Sequence, residues 1–374
     1  MLSVGDTTRS LTPVVVKALH EAVEAQADTA SYKGYGASHG EQFGTIELRR
    51  AIAGHYARYG AEVDPDDVFV SDGAKPDSAN LQSIFAADAT VAVQDPAYPI
   101  YVDTTVIAGK TRGYENGRYD GIAYMDSTVE NGFWPEVPGE KVDLIYLCNP
   151  NNPVGTAATR EQLQRFVDYA RESGAVIIYD GAYSGFISDD SLPRSIYEID
   201  GAENCAIEVN SFSKLAGFAG MRLGWTVVPE SLTVDGSEPG RARKLWKKRQ
   251  VTMFNGASNI IQAGGLAVLS EQGLAESQEN IDYYMRNAAR IRDGLRGVGL
   301  EAFGGEHAPF VWTKGPAGMD SWSFFDKLLE EAHVVGTPGS GYGRNGEGFI
   351  RLSAFGGREQ TDEAVRSIQE SLRI

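Results

Sequence analysis

The sequence contains few cysteines, few histidines and a deficit of positive charge. Its two cysteines, Cys148 and Cys205, cannot build a disulfide framework, so we interpret them as packing residues and expect a reducing, cytoplasmic environment. The five histidines show no H-x-x-x-H or other ligand spacing, and we expect no metal site. The 34 basic residues face 51 acidic ones, and the net charge of −17 argues against nucleic acid or an acidic membrane surface as the main partner.

Long hydrophobic runs are also absent. No apolar run approaches the roughly 18 residues that a transmembrane helix needs. The first ten residues, MLSVGDTTRS, lack the basic start and apolar core of a signal peptide. The composition is nevertheless globular, with 42% hydrophobic residues in a chain of 374, a length that suggests two domains at roughly 150 residues each.

The central part of the chain alternates short apolar segments with helical patterns. The predicted strands are VFVS (68–71), TVAVQD (90–95), DLIYLC (143–148), AVIIYD (175–180), AIEVNS (206–211) and LGWTVV (223–228). Thr159 and Gln162 form a capping-box pattern at the start of one intervening helix, 159–173. Near-continuous apolar strands separated by helices predict an α/β fold with a largely parallel sheet covered on both faces.

From Arg241 onward the pattern changes to long helices with two short strands, FVWT and GFIRLS. This change predicts a second, α+β domain that the amino-terminal helix joins. We therefore predict a large domain over residues 31–255 and a small domain formed by residues 1–30 and 256–374.

Two short motifs suggest chemistry that their context does not support. GYGRNG (341–346) matches the dinucleotide fingerprint, but that fingerprint must open a helix, and a strand-like segment follows here. We favour a glycine-rich loop. SFSK (211–214) matches the S-x-x-K motif of penicillin-binding proteins, whose S-D-N and K-T-G elements are missing. A serine hydrolase using Ser211 is therefore a weak alternative.

A more specific set of residues lies at or just beyond predicted strand ends. Asp180 ends one strand, Tyr183 follows it, Lys214 follows the next strand, and Arg222 comes eight residues later. The carboxyl ends of parallel strands are where such sheets bind ligands. An amine for an aldehyde, a carboxylate for a pyridinium nitrogen and an arginine for a phosphate together predict a pyridoxal 5′-phosphate site.

Further residues suit the same cofactor. Donors to its ring oxygen are predicted to be Tyr183 and Asn152, and ligands of its phosphate are predicted to be Ser211, Ser213, Arg222 and the amides of Ala74 and Lys75. Taken alone, Asp180 would more often be a turn cap, and Lys214 would be a solvated surface lysine. Their joint occurrence in order at strand ends favours the functional interpretation.

The segments NPNNPVG (149–155), YDGAY (179–183) and SFSKLAGFAGMR (211–222) resemble those of fold type I aminotransferases of class I and II. The sequence is most similar to the L,L-diaminopimelate aminotransferase family, on segments such as YKGYG, SDGAK, DPAYPIYVDT and HVVGTPGSGYG. The resemblance runs from Leu2 to the end. It implies amino transfer between L,L-diaminopimelate or tetrahydrodipicolinate and glutamate or 2-oxoglutarate, in lysine biosynthesis, by a homodimer with active sites at the subunit interface.

The resemblance also assigns roles to individual residues. It makes Lys214 the lysine that condenses with the cofactor, Asp180 the partner of the ring nitrogen and Tyr98 the ring that stacks on the cofactor. Other implied cofactor contacts are Ala74, Lys75, Asn152, Tyr183, Ser211, Ser213, Arg222, Asn255 and Tyr35 of the partner subunit. Implied substrate contacts are Gly5, Lys75, Tyr98, Asn152, Asn255 and Arg351, of which Arg351 binds the α-carboxylate.

Three departures from the family pattern bear on the substrate. Val154 replaces a threonine, and the family carries further residues ahead of the segment that matches Leu2. Ser38 and His39 stand where the family has Glu-Gln, and that glutamate helps to recognise the distal ammonium of diaminopimelate. An aminotransferase acting on a different amino acid in a specialised pathway therefore stays open, as does a non-catalytic binding or regulatory protein that kept the fold.

Overall fold

The computed structural model describes residues 1–36, 40–234 and 236–374. Its helices are α1 (Pro13–Ala25), α2 (Ile46–Ala57), α3 (Ala74–Leu81), α4 (Ile100–Ile107), α5 (Arg160–Ser173), α6 (Phe212–Leu215), α7 (Arg241–Met253), α8 (Asn259–Val268), α9 (Glu271–Gly297), α10 (Ser321–Ala332) and α11 (Arg358–Ser371). Its strands are β1 (Val68–Ser71), β2 (Val91–Asp95), β3 (Tyr114–Glu115), β4 (Arg118–Tyr119), β5 (Ile122–Asp126), β6 (Leu144–Cys148), β7 (Val176–Asp180), β8 (Ala206–Ser211), β9 (Gly224–Val227), β10 (Ala302–Gly304), β11 (Phe310–Lys314), β12 (Thr337–Pro338) and β13 (Phe349–Ser353).

The large sheet has seven strands in the order β1-β9-β8-β7-β6-β2-β5. Its neighbours from β8 to β5 are parallel, whereas β9 pairs antiparallel with both β1 and β8. The predicted α/β fold with a mostly parallel sheet is confirmed, and the six predicted strands lie within a residue of their predicted positions. The edge strand β5, which is only partly buried, was not predicted.

Alternate residues of the strands point to opposite faces of this sheet, as the period of two requires. Leu144 and Tyr146 pack with Trp246 of α7 on one face, while Ile145 and Leu147 pack with Phe166 of α5 on the other. The start of α5 is fixed by the predicted capping box, since the side chains of Thr159 and Gln162 each accept a backbone N–H from the other residue. Both faces are therefore covered by helices.

A second, antiparallel sheet has the order β10-β11-β13-β12 and packs against α9, α10 and α11. The amino-terminal segment runs beside it: the N–H of Leu2 donates to Val335 O at 2.8 Å, and the N–H of Ser353 donates to Leu2 O at 2.6 Å. Helix α1 packs against α8. The structure thus contains the predicted second unit, a small sheet packed against helices. The residue boundaries of the two domains stay a prediction.

Within the described ranges, no helix has both the length and the apolar character needed to cross a membrane. The second sheet approaches the carboxyl edge of the parallel strands, where Arg351 of β13 reaches Asn152, which follows β6. This approach creates the cavity described next.

Candidate active site

A cavity of about 500 Å³ lies where the carboxyl ends of β6, β7 and β8 face the second sheet. Its lining includes every predicted cofactor or substrate contact except Tyr35 and Asn255, namely Gly5, Ala74, Lys75, Tyr98, Asn152, Asp180, Tyr183, Ser211, Ser213, Lys214, Arg222 and Arg351. Residues from seven separate segments therefore converge on one volume. The predicted roles of the individual residues stay predictions.

Tyr35 and Asn255 lie outside this cavity. The side chain of Tyr35 is 70% exposed, and Asn255 is exposed with a left-handed backbone (φ +68°). The resemblance places Tyr35 in the cavity of the partner subunit, so a single chain does not bring it to its own site. Ser38 and His39 lie outside the described residues.

Lys214 lies on α6, the short helix that follows β8. Its Nζ donates a 2.5 Å hydrogen bond to Gly5 O and lies 3.9 Å from Oδ1 of Asp6. Burial lowers the pKa of Lys214 to about 8, the nearby cations Arg351, Lys75 and Arg222 act in the same direction, and Asp6 opposes them. A lysine with this pKa is neutral far more often near neutral pH than a free lysine, and the neutral amine is the nucleophilic form.

Asp180, the last residue of β7, is a buried carboxylate without a counter-cation. Its Oδ2 accepts a 2.7 Å hydrogen bond from the Tyr101 hydroxyl, and its Oδ1 accepts one of 3.0 Å from the N–H of Ala182. In the described part of the chain no lysine, arginine or histidine forms an ion pair with it. Burial raises the pKa of Asp180, which means that a cationic N–H placed in the cavity would gain from meeting this carboxylate.

The opposite end of the cavity is built to receive an anion. Helix α3 begins at Ala74 with no side-chain cap, so its first N–H groups face the cavity unpaired by a side chain. Ser211 and Ser213 bring two hydroxyls, joined by a 2.8 Å hydrogen bond. Arg222 has a left-handed backbone (φ +61°) and donates to Ala219 O at 2.8 Å, and no carboxylate pairs with it among the residues described.

Glycine is required beside that arginine. Gly73 has φ +139°, and a Cβ there would lie 2.6 Å from Nη2 of Arg222. The guanidinium thus lies against the residue that precedes α3, in the cavity that the two serines also line. This end of the cavity therefore offers amides, hydroxyls and one fixed positive charge, which is a donor set suited to a phosphate.

Arg351 lies on β13, at the wall formed by the second sheet, and is 7% exposed. Its Nη1 donates to Asn152 Oδ1 at 2.8 Å and its Nη2 donates to Ser3 O at 3.0 Å. Its Nε is buried without a partner, and the described residues place no acid beside it. The guanidinium is positioned by two neutral oxygens and by the rings of Phe310 and Tyr342, so its charge is left for a carboxylate that enters the cavity.

Two tyrosines complete the walls. Nζ of Lys75 lies 5.5 Å from the centre of the Tyr98 ring. The ring of Tyr183 packs edge-on against Phe310 at 5.1 Å. Burial raises the pKa of the Tyr183 hydroxyl well above its usual value, so it stays a neutral donor.

Several lining residues were not found from the sequence: Val4, Asp6, Tyr101, Cys148, Ala182 and Ala219. The pairing of Tyr101 with Asp180 is the most important omission, because α4 carries no strong periodic signal. Cys148 and Cys205 are both buried, as the packing interpretation predicts, although Cys148 also touches the cavity. GYGRNG is followed by β13 and not by a helix, so the dinucleotide interpretation has no structural support.

Fold and cavity together define a class of enzyme that moves an amino group between an amino acid and a 2-oxo acid. Residues 1–368 match the family model "Aminotransferase class I and II". The structure of an L,L-diaminopimelate aminotransferase from Chlamydomonas reinhardtii is similar, with a TM-score of 0.92, 45% identity and coverage of 98% of this chain and 89% of that one. The chain belongs to the class I and II aminotransferase family and is an enzyme.

More distant structures share the fold. Substrate-bound BacF from Bacillus subtilis has a TM-score of 0.83, 27% identity and coverage of 99% of this chain and 89% of that one. An aromatic aminotransferase from Pyrococcus horikoshii OT3 has a TM-score of 0.84, 25% identity and coverage of 98% and 93%. Members of the family depend on pyridoxal phosphate in general, and they act on amino acids and 2-oxo acids.

Proposed function

We propose that this chain binds pyridoxal 5′-phosphate in the cavity and catalyses amino transfer there. The observation that carries the proposal is the convergence of three groups on one cavity: the amine of Lys214, the carboxylate of Asp180 and the guanidinium of Arg351. The described residues supply no counter-cation to Asp180 and no acid to Arg351. Each group would be costly to bury without a ligand that satisfies it.

The residues fit the cofactor part by part. The amides at the start of α3, Ser211, Ser213 and Arg222 would hold the phosphate, and Asp180 would hold the proton on the ring nitrogen. Tyr183 and Asn152 would donate to the ring oxygen, and Tyr98 would cover the ring. When bound, pyridoxal phosphate supplies an aldehyde and an electron-withdrawing ring.

The remaining chemistry belongs to the protein. Arg351 binds the substrate α-carboxylate with two parallel N–H donors and so fixes the α-carbon within reach of Lys214. The Lys214 amine, whose pKa is lowered to about 8, takes the proton from that carbon as a general base and would pass it to the carbon of the cofactor's aldehyde group as a general acid. In the half-reaction with the oxo acid the same amine would carry the proton back to the α-carbon. Both substrates carry an α-carboxylate, so one clamp serves both half-reactions.

For the substrates we propose L,L-diaminopimelate as amino donor and 2-oxoglutarate as acceptor, with tetrahydrodipicolinate and glutamate as the reverse pair, in lysine biosynthesis. The similarity to the Chlamydomonas enzyme, at 45% identity over 98% of this chain, supports this choice. The alternative is an aminotransferase of the same family with a different donor. The observation that favours it is the presence of Ser38 and His39 where the family carries Glu-Gln.

The donor is tested by comparing kcat/KM for L,L-diaminopimelate and for a neutral or aromatic amino acid, with 2-oxoglutarate as acceptor. A charge-assisted hydrogen bond contributes about 1.5–3 kcal/mol, so its loss lowers kcat/KM by about one to two orders of magnitude. Ser38→Glu should raise the preference for diaminopimelate, and Ser38→Gln is the matched uncharged control. High native selectivity that neither substitution changes would show that other residues recognise the distal ammonium. No transamination with any donor would overturn the proposal itself.

We also propose a homodimer that shares its active sites. Tyr32, Tyr35 and Met253 are 61%, 70% and 70% exposed. Asn259 Nδ2 donates to the carbonyls of residues 33 and 34 at 3.1 and 3.0 Å. These hydrogen bonds hold the segment that carries Tyr32 and Tyr35 beside the start of α8. Tyr35 and Asn255 would then serve the partner's site across this patch. Sedimentation of the purified protein tests whether it is a dimer. Mixed dimers of Tyr35→Phe and Lys214→Ala subunits test whether the sites are shared, because one site of each mixed dimer would then have both native residues and regain activity. The cytoplasmic location stays a prediction.

A further inference from the structure

The glycine-rich loop of residues 341–346, which the proposed mechanism does not use, is bound to the end of β2. The anchor is Asp95, the last residue of that strand, which is 1% exposed. Its Oδ1 accepts a 3.1 Å hydrogen bond from the N–H of Asn345, and its carbonyl accepts one of 3.2 Å from Asn345 Nδ2. The two residues are 250 positions apart in the sequence.

Asp95 is held from its other side by Arg118 of β4. Nη2 and Nε of Arg118 donate to Oδ2 of Asp95 at 2.7 and 3.2 Å. Arg118 also contacts Asp126, which accepts a 2.8 Å hydrogen bond from Asn345 Nδ2. Every polar atom of the Asp95 side chain is therefore paired, and one carboxylate joins β2, β4 and the glycine-rich loop.

The loop fits only because one of its residues has no side chain. Gly343 has φ +128°, and a Cβ at this position would lie 2.2 Å from Oδ1 of Asp95. A distance this short is a hard overlap with a buried, fully hydrogen-bonded atom. Glycine at position 343 is thus explained by the close contact of the loop with Asp95, and it does not imply that the loop is mobile.

Both sides of this junction continue directly into the cavity. On one side, Tyr98 follows Asp95 by three residues, and the intervening N–H of Ala97 donates to Tyr342 O at 2.9 Å. On the other side, the Tyr342 ring lies 5.1 Å from the guanidinium of Arg351. The wall that carries Tyr98 and the wall that carries Arg351 are joined at Asp95.

We propose that Asp95 and Asn345 are positioning residues, which set the distance between the carboxylate-binding Arg351 and the ring of Tyr98 by locking the glycine-rich loop onto β2. This inference rests on the proposed function of Arg351. Loss of the lock moves Tyr342 and lets the guanidinium leave the orientation that a carboxylate needs. Binding of α-carboxylates then weakens, although no residue in direct contact with the substrate has changed.

The test uses the purified holoenzyme and glutarate, which has carboxylates but no amino or oxo group that can react. Calorimetry gives the Kd of glutarate, and steady-state kinetics give kcat and KM for the amino donor. Asn345→Ala removes two side-chain hydrogen bonds, so we expect the Kd and the KM to rise about tenfold, with a smaller change in kcat. Gly343→Ala should weaken binding further, because its Cβ displaces the loop.

Arg344→Ala is the matched control, since Arg344 is an exposed neighbour in the same loop and its side chain takes no part in the lock. It should leave the Kd of glutarate within about twofold of the native value. Thermal unfolding separates positioning from stability, because a merely structural role would lower the Tm and leave the Kd of the folded holoenzyme unchanged.

An unchanged Kd in Asn345→Ala, alongside a loss of binding in Arg351→Ala, would overturn the positioning role and leave the proposed function standing. Unchanged binding of glutarate by Arg351→Ala would instead overturn the proposed function of Arg351, which is to bind the α-carboxylate. If Gly343→Ala fails to fold, Asn345→Ala and Arg118→Ala still decide the question, because their side chains reach the lock from the partly exposed side.

Discussion

The hydroxyl of Tyr101 donates a 2.7 Å hydrogen bond to Oδ2 of Asp180 at the floor of the cavity. Tyr101 is itself stacked on Tyr146, with ring centres 5.0 Å apart and an interplanar angle of 20°. The carboxylate proposed to face the cofactor nitrogen is thus oriented by a buried phenol whose ring is stacked on a second tyrosine. The hydrogen bond opposes the effect of burial, which raises the pKa of Asp180.

Tyr101→Phe should therefore raise the pKa of Asp180 further and weaken its hold on a protonated ring nitrogen. We expect kcat to fall by about an order of magnitude, as for the loss of one hydrogen bond to a charged group. The check is kcat together with the absorption spectrum of the bound cofactor as a function of pH. Tyr146→Phe is the control, since its hydroxyl donates to Ser78 O and not to Asp180. Equal effects of both changes would mean that losing any buried hydroxyl lowers kcat, and that the hydrogen bond to Asp180 has no special role.

Lys214→Ala should keep the fold and lose transamination by several orders of magnitude, because one amine is both the point of attachment and the proton carrier. Cofactor affinity should fall less, since the phosphate end of the cavity is intact. The measurement is single-turnover conversion of the amino donor together with retention of the cofactor on gel filtration. Near-native turnover would remove Lys214 from the mechanism.

Asp6→Asn should shift the pH dependence of Lys214. The lysine pKa of about 8 would be lower still without the Asp6 carboxylate, because only the negative charge opposes burial and the neighbouring cations. The neutral amine is the reactive form, so the rate at which the apoprotein reacts with pyridoxal phosphate should rise as pH increases through about 8. In Asp6→Asn the same rise should occur at lower pH. An unmoved profile would show that Asp6, which is well exposed, is screened by solvent.

Arg351→Lys should behave as a severe substitution, because one ammonium cannot reproduce the planar two-bond contact with a carboxylate. We expect KM to rise by about two orders of magnitude for both the amino donor and the oxo acid, as for the loss of a pair of charge-assisted hydrogen bonds. The two half-reactions should be measured separately by cofactor absorption. An effect confined to one of them would place the shared clamp elsewhere.

The site was predictable where the chemistry depends on residue type and on position relative to a strand. Asp180 ends β7 and Lys214 follows β8, and both strands are short apolar runs that pattern alone detects. Tyr101 was not predictable, because α4 is a short helix of Ile, Val and Thr residues whose composition also suits a strand. The antiparallel direction of β9 was hidden for a similar reason, since a strand buried on both faces reads the same in either direction.

Contacts made by backbone atoms could not be predicted from the sequence at all. Lys214 donates to the carbonyl of Gly5, and Arg351 donates to that of Ser3. Any residue supplies a carbonyl, so nothing in the sequence marks these partners. The resemblance implies that Gly5 contacts the substrate, and this role stays a prediction. In the structure the Gly5 carbonyl accepts a hydrogen bond from the Lys214 amine.

The hydrogen bond between Arg351 and Ser3 joins residues 348 positions apart. This separation affects the order in which the protein can fold as it is synthesised. During synthesis, the segment that runs past Lys214 stays without its neighbours Val335 and Ser353 until the ribosome has translated nearly the whole sequence. All strands of the large sheet are translated by Val227, so until residues 335–353 are made the cavity lacks the wall that the second sheet provides. Contacts of such long sequence separation form slowly, so refolding should restore helical circular dichroism well before it restores cofactor binding.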